Sequence, residues 1–130
     1  MIICKTPFRL SFFGEGTDIP SWFNLNKGKV ISLTFNRYNY TILKVNPEYF
    51  KYKYVLKYLK NEKTKKLNDI KNKPIKYLLK QYHMKNSKVE ITHSSELPGR
   101  IGIGSSSAFV VSLINILNFY TKKNYSQKRI

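Results

Sequence analysis

Acidic side chains are scarce in this sequence. Seven Asp and Glu stand against 24 Lys and Arg, a formal net charge of +17. Such a field attracts phosphates, nucleic acid and anionic lipid surfaces without choosing among them. The richness in Lys, Asn, Tyr and Ile is also what biased coding produces, so charge alone names no partner. Cysteine is nearly absent. Cys4 is the single thiol, which excludes an internal disulfide and any zinc site of several cysteines. Beside an opening strand it reads as a small buried hydrophobe. Long apolar runs are missing too: none approaches the ~20 residues of a membrane helix, and no charged n-region with an apolar h-region opens the chain. A reducing, cytoplasmic setting with no membrane partner is the default expectation. His83 and His93 have no His or Cys at ligand spacing, so neither reads as a metal ligand.

What is present fits a folded chain. The 130 residues are 42% apolar, enough for one domain or part of a larger one. Met1 to Cys4 is short and β-prone. After Pro7, alternation would put Phe8, Leu10 and Phe12 on one face of a strand and Arg9, Ser11 and Phe13 on the other. Gly14-Glu15-Gly16-Thr17-Asp18-Ile19-Pro20 reads as a structured loop, Trp22-Phe23 as one helical turn, and Asn26-Lys27-Gly28 as a turn. Val30 to Leu33 and Tyr38 to Val45 read as two strands of a hairpin or meander. Between residues 44 and 88, fourteen lysines face only Glu48, Glu62 and Asp69, which leaves +11 of the charge there. A helix is expected from about Pro74, with Ile75, Leu78, Leu79 and Tyr82 as its apolar stripe. Lys88 to Ser94 alternates as a strand. The order of elements predicts an α+β fold, with a mixed or antiparallel sheet and helices on one side.

The segment Leu97-Pro98-Gly99-Arg100-Ile101-Gly102-Ile103-Gly104-Ser105-Ser106-Ser107-Ala108 carries the chemistry. It runs into Phe109 to Tyr120, a stretch apolar nearly all round that predicts a buried helix capped by Ser105 or Ser106. A strand, a glycine-rich loop and a helix form an anion site, because the first-turn amides have no intrahelical partner and point outward at the positive end of the dipole. Glycines let backbone approach a ligand closely, and hydroxyls can hold phosphate oxygens or hydrated magnesium. The pattern is neither GxxxxGK[ST] nor GxGxxG. From spacing alone, a serine-rich cap with flexible glycines is the plain alternative to a nucleotide phosphate site.

These residues resemble the phosphate loop of the kinases grouped as galactokinase, homoserine kinase, mevalonate kinase and phosphomevalonate kinase (the GHMP kinases). That motif runs Pro, three variable residues, Gly-Leu-Gly-Ser-Ser, and Ile103 replaces the usual Leu. A second mark is Pro7-Phe8-Arg9 leading to Gly14-Glu15-Gly16-Thr17-Asp18, similar to the Pro-x-Arg and Gly-x-x-Thr-Asp of the family's sugar kinases. It is most like bacterial kinases of D-glycero-D-manno-heptose 7-phosphate, with Glu15 departing from their Gly-Gly-Gly-Thr-Asp. The resemblance covers about residues 2 to 120.

The resemblance implies the amino-terminal, ATP-binding domain of that fold (ribosomal protein S5 domain 2-like) over residues 1–130, truncated, with the carboxy-terminal domain absent. It implies ATP and magnesium as cofactors. Pro98, Gly99, Gly102, Ile103, Gly104, Ser105, Ser106 and Ser107 would wrap the phosphates, with Ser105 or Ser106 on magnesium. Arg9 would lie near the transferred phosphoryl group as a catalytic residue. Arg9, Glu15, Thr17 and Asp18 would hold a sugar or sugar phosphate. From the residues alone, Asp18 reads equally as an Asx-turn, and Arg9 as a solvated residue on an edge strand. Because the family's later motifs lie further along the chain, the resemblance implies a fragment inactive by itself, from a truncated gene or partnered by a separately encoded remainder. A basic nucleic-acid-binding module is the competing reading, with lysines and tyrosines from 44 to 88 as contacts. No aromatic RNA-recognition motif supports it, and charge runs are usually solvated faces.

Overall fold

The alternation that begins at Ile2 does not stop at Pro7. In the computed structural model, which describes residues 1–98 and 104–122, one strand, β1, spans Ile2–Phe13. Proline is tolerated because β1 is an edge strand, and the register against its neighbour shifts between Pro7 and Phe8. The predicted pair of strands within residues 30–45 is likewise a single strand, β2 (Ile31–Val45). The hairpin or meander expected there is corrected. β2 instead pairs antiparallel with β1 along nearly its whole length, from Ile2 opposite Leu43 to Phe13 opposite Ile31.

A second register shift falls between Ser11 and Phe13. The predicted facing of Phe8, Leu10 and Phe12 therefore breaks down: Phe8 is fully buried, whereas Phe12 and Phe13 are both exposed. A short helix α1 (Pro20–Phe23) lies between β1 and β2. The lysine-rich stretch holds two strands that its charge concealed, β3 (Tyr54–Lys57) and β4 (Asn61–Thr64). Then come α2 (Lys73–Gln81), β5 (Val89–Ser95) and α3 (Ser105–Thr121). The sheet runs β1-β2-β5-β3-β4, antiparallel except where β3 pairs parallel with β5.

The helix predicted near Pro74 is α2. Asn72 caps it, its side-chain oxygen accepting from the Ile75 amide at 3.1 Å. The stripe Ile75, Leu78, Leu79 and Tyr82 is buried. Those side chains join Leu43, Tyr54, Leu56, Val89 and Ile91 of the sheet and Leu113, Ile116 and Leu117 of α3 in one cluster. Both helices therefore cover the same face of the sheet. α3 is buried on that side only, because Val111 and Phe119 on its far side are exposed. A single sheet covers one face of a helix, so the expectation of all-round burial is corrected.

Leu117 is fully buried and Phe119 is 74% exposed. Leu117→Ala should lower unfolding free energy by about 2–5 kcal/mol. Phe119→Ala should stay within about 0.5 kcal/mol. Urea denaturation of both variants checks this, and comparable losses would contradict the one-sided packing of α3.

Candidate anion-binding site at the start of α3

α3 starts at the serine run, as predicted, but neither Ser105 nor Ser106 caps it. The N-cap is Gly104, in the left-handed region at φ 68°, and no side chain caps the helix. A non-glycine residue pays for that backbone conformation, which is why glycine sits there. The serines fall inside the first turn, Ser105 half-buried and Ser106 and Ser107 exposed. The first turn holds no acidic residue. An uncapped helix start free of carboxylates and bordered by small residues suits phosphate oxygens. Gly99, Gly102 and Ile103 of the predicted loop lie outside the described residues.

Two sequence-distant motifs meet at this helix start. A Cβ placed on Gly104 would lie 3.6 Å from the Arg9 carbonyl oxygen and 3.9 Å from the Arg9 Cβ. Arg9 is exposed on β1, with its backbone and Cβ beside the start of α3. The junction is held from below by polar contacts. Buried Asn39 donates from Nδ2 to the Ser105 carbonyl at 3.4 Å, and the Thr41 and Ser112 hydroxyls are 2.5 Å apart.

β1 leads directly into the Gly14–Asp18 loop. Gly14 has φ 88°, and a Cβ there would stand 1.9 Å from the Lys29 carbonyl oxygen. A Cβ on Gly28 would stand 2.3 Å from the Thr17 carbonyl oxygen. Both glycines are thus required by close backbone approach. The Thr17 hydroxyl proton is shared between the carbonyls of Gly14, at 2.8 Å, and Lys29, at 3.1 Å. Asp18 accepts from the Gly16 amide at 3.2 Å and is exposed, as is Glu15. The Asx-turn read from sequence is not formed, since residue 20 is a proline without an amide hydrogen; Asp18 instead accepts from the amide two residues before it.

A cavity of about 660 Å³ opens beside α3. Pro98, Ser105 and Ser106 line it together with Tyr58, Asn72 and His93. Arg9 and the Gly14–Asp18 loop do not line it. Tyr58, Asn72 and His93 were not singled out as ligand contacts, because they converge from the β3–β4 turn, the start of α2 and β5. No local pattern announces such a meeting. Burial and a hydrogen bond to Glu62 push the Tyr58 hydroxyl up to about 12. Burial lowers the His93 pKa, and its ring meets Phe109 edge-on at 4.7 Å.

Residues 69–130 match the family described as GHMP kinases N terminal domain. No curated protein sequence matches the chain. Solved structures share its fold. A D-glycero-D-manno-heptose 1-phosphate kinase from Bacteriodes thetaiotaomicron aligns with a TM-score of 0.80 at 16% identity, over 97% of this chain and 44% of that one. Methanococcus jannaschii mevalonate kinase aligns with a TM-score of 0.68 at 20% identity, over 98% and 42% respectively. This chain therefore has the fold of the GHMP kinase amino-terminal domain and spans less than half the length of these relatives. No helix among the described residues is long and apolar enough to cross a membrane.

The lowered pKa of His93 has a signed consequence. Below about pH 6.5 the unfolded chain takes up a proton at this position while the folded chain resists it. Stability from this group is full above about pH 6.5 and is lost as pH falls towards the folded pKa. Denaturation at pH 7.5 and 5.5 should show a larger acid loss for the native chain than for His93→Gln. Equal losses would contradict a half-buried His93 that resists protonation.

Proposed function

We propose that this chain, with the GHMP kinase amino-terminal fold and residues 69–130 matched to that family, is the nucleotide-side part of an ATP-dependent kinase for a sugar or sugar phosphate. The observation that carries this reading is the meeting of Arg9 with the start of α3 at Gly104. Two motifs nearly a hundred residues apart, each read from sequence as part of one reaction, are neighbours in space.

ATP with magnesium would supply the transferable phosphoryl group and neutralise its charge. The chain's own residues would position it. The free amides at the start of α3 would donate to phosphate oxygens, and the hydroxyl of Ser105 or Ser106 would face magnesium. Pro98, Gly99, Gly102, Ile103 and Gly104 would shape the loop. Arg9 offers a planar fork to phosphoryl oxygens. Thr17 and the two tight glycines hold the Gly14–Asp18 loop in shape. Glu15 and Asp18 present carboxylates, and a carboxylate can pair with adjacent sugar hydroxyls. A heptose phosphate is the favoured acceptor, since the Gly-x-x-Thr-Asp loop follows the Pro-x-Arg strand here as in kinases of that substrate. The fold shared with a heptose 1-phosphate kinase supports it.

Phosphoryl transfer needs positioning and charge stabilisation from several sides. The groups named here stand on one side. The 130 residues alone should therefore release no ADP in response to sugars. Extended to the length of the heptose 1-phosphate kinase, the protein should turn over a phosphorylated sugar. In that form, Asp18→Ala should cut sugar turnover by roughly a hundredfold while changing ATP affinity by less than about twofold. Ser105→Ala with Ser106→Ala should abolish the magnesium-dependent part of ATP binding. A coupled ADP assay with nucleotide titrations measures all of these. Activity on mevalonate or homoserine and on no sugar would overturn the substrate class, and unchanged magnesium dependence in the double variant would overturn the site.

A further inference from the structure

A second concavity lies away from the start of α3. It measures about 540 Å³ and is lined by Lys53, Lys65, Lys66, Lys80, Lys85 and His83. Among the described residues no carboxylate lines it. The lining side chains come from four separate places in the chain. Lys53 precedes β3, Lys65 and Lys66 follow β4, Lys80 ends α2, and His83 and Lys85 lie between α2 and β5. A charge run in sequence ordinarily spreads over a solvated face, yet here the fold gathers five lysines around one hollow. Among the described residues the ion pairs are Lys57 with Glu90 and Lys88 with Glu48, and neither uses a lysine of the hollow. The dipole at the end of α2 accounts for Lys80. It does not account for Lys53, Lys65 and Lys66, none of which belongs to an ion pair found among the described residues.

We propose that this hollow binds a compact, multiply charged phosphate anion such as a polyphosphate, independently of the kinase reading. Converging ammonium groups act as point charges for phosphate, and their aliphatic stems form the walls. The lining favours a compact anion over a nucleic acid strand. Single-stranded nucleic acid is held by bases stacking on aromatic rings, and among the described residues no Tyr, Phe or Trp lines this hollow. The tyrosines interleaved with the lysines in sequence are elsewhere. Tyr54 and Tyr82 are buried in the core, and Tyr58 lines the other cavity.

Isothermal titration of the 130-residue chain with tripolyphosphate, at constant ionic strength set by sodium chloride, tests the site. Two variants each remove two of its charges, Lys65→Gln with Lys66→Gln and Lys53→Gln with Lys85→Gln. A third, Lys44→Gln with Lys60→Gln, removes the same charge elsewhere, and circular dichroism confirms that each is folded. Saturable binding is expected, weakened about tenfold or more in the first two variants and less than about twofold in the third. Equal weakening in all three would reduce the effect to net charge and overturn the proposal. Binding unaffected by the first two variants would place the anion outside this hollow and overturn it too. A twelve-nucleotide single-stranded RNA is run in parallel. RNA binding that needs these lysines, with no binding of tripolyphosphate, would replace the compact anion with a nucleic acid backbone.

Discussion

The candidate site depends on how α3 lies across the sheet. Leu113, Ile116 and Leu117 are buried against the strands, and burying each such side chain contributes about 1.5–3 kcal/mol. That contribution is non-directional, so it holds the helix down without fixing where it begins. Direction comes from the polar contacts nearer its start. Thr41 meets Ser112, and Asn39 reaches the Ser105 carbonyl. Buried polar groups that find partners specify one arrangement, because a shifted helix would leave them unpaired. The start of α3 is thus fixed against β1, and Gly104 meets Arg9 as a consequence of packing two turns further along.

The parts of this arrangement visible in sequence were those with a strong local signal. Proline and an apolar stripe marked α2, strict alternation marked β5, and glycines followed by an apolar run marked α3. The start of α3 was legible, but its cap was not, since serine is the commoner capping residue and the left-handed turn at Gly104 shows only in the backbone. β3 and β4 escaped because each is four residues long and flanked by lysines. Tyr54 and Leu56 are buried there through a parallel pairing with β5 and through α2. Both are distant in sequence. The same limit applied to the cavity beside α3: Ser105 and Ser106 were readable from a motif, whereas Tyr58, Asn72 and His93 are assembled by the sheet order.

The excess of positive charge also looks different once folded. In sequence it is a run over residues 44 to 88 that any polyanion would attract. In the fold, one part pairs with Glu90 and Glu48, and another part surrounds a hollow without a carboxylate. A dispersed charge raises association rates with every anion, whereas convergent charge distinguishes compact ligands from extended ones. Composition accounts for the number of lysines and leaves their convergence unexplained.

Apolar surface is unevenly placed as well. Phe12, Phe13, Ile31 and Leu33, at the paired ends of β1 and β2, are exposed, and so are Trp22, Phe23 and Leu25 from the connection between them. Single exposed apolar residues are ordinary, but a concentration of them marks a surface that meets something. This concentration flanks the loop bearing Asp18. Under the proposed function, the remainder of the kinase would meet this surface and exclude water from it. The benefit is electrostatic. An exposed carboxylate interacts weakly in water, and the same carboxylate in a dried site interacts several times more strongly. Asp18 is solvated in this chain, so its proposed selectivity for sugar hydroxyls requires the apolar rim around it to be covered.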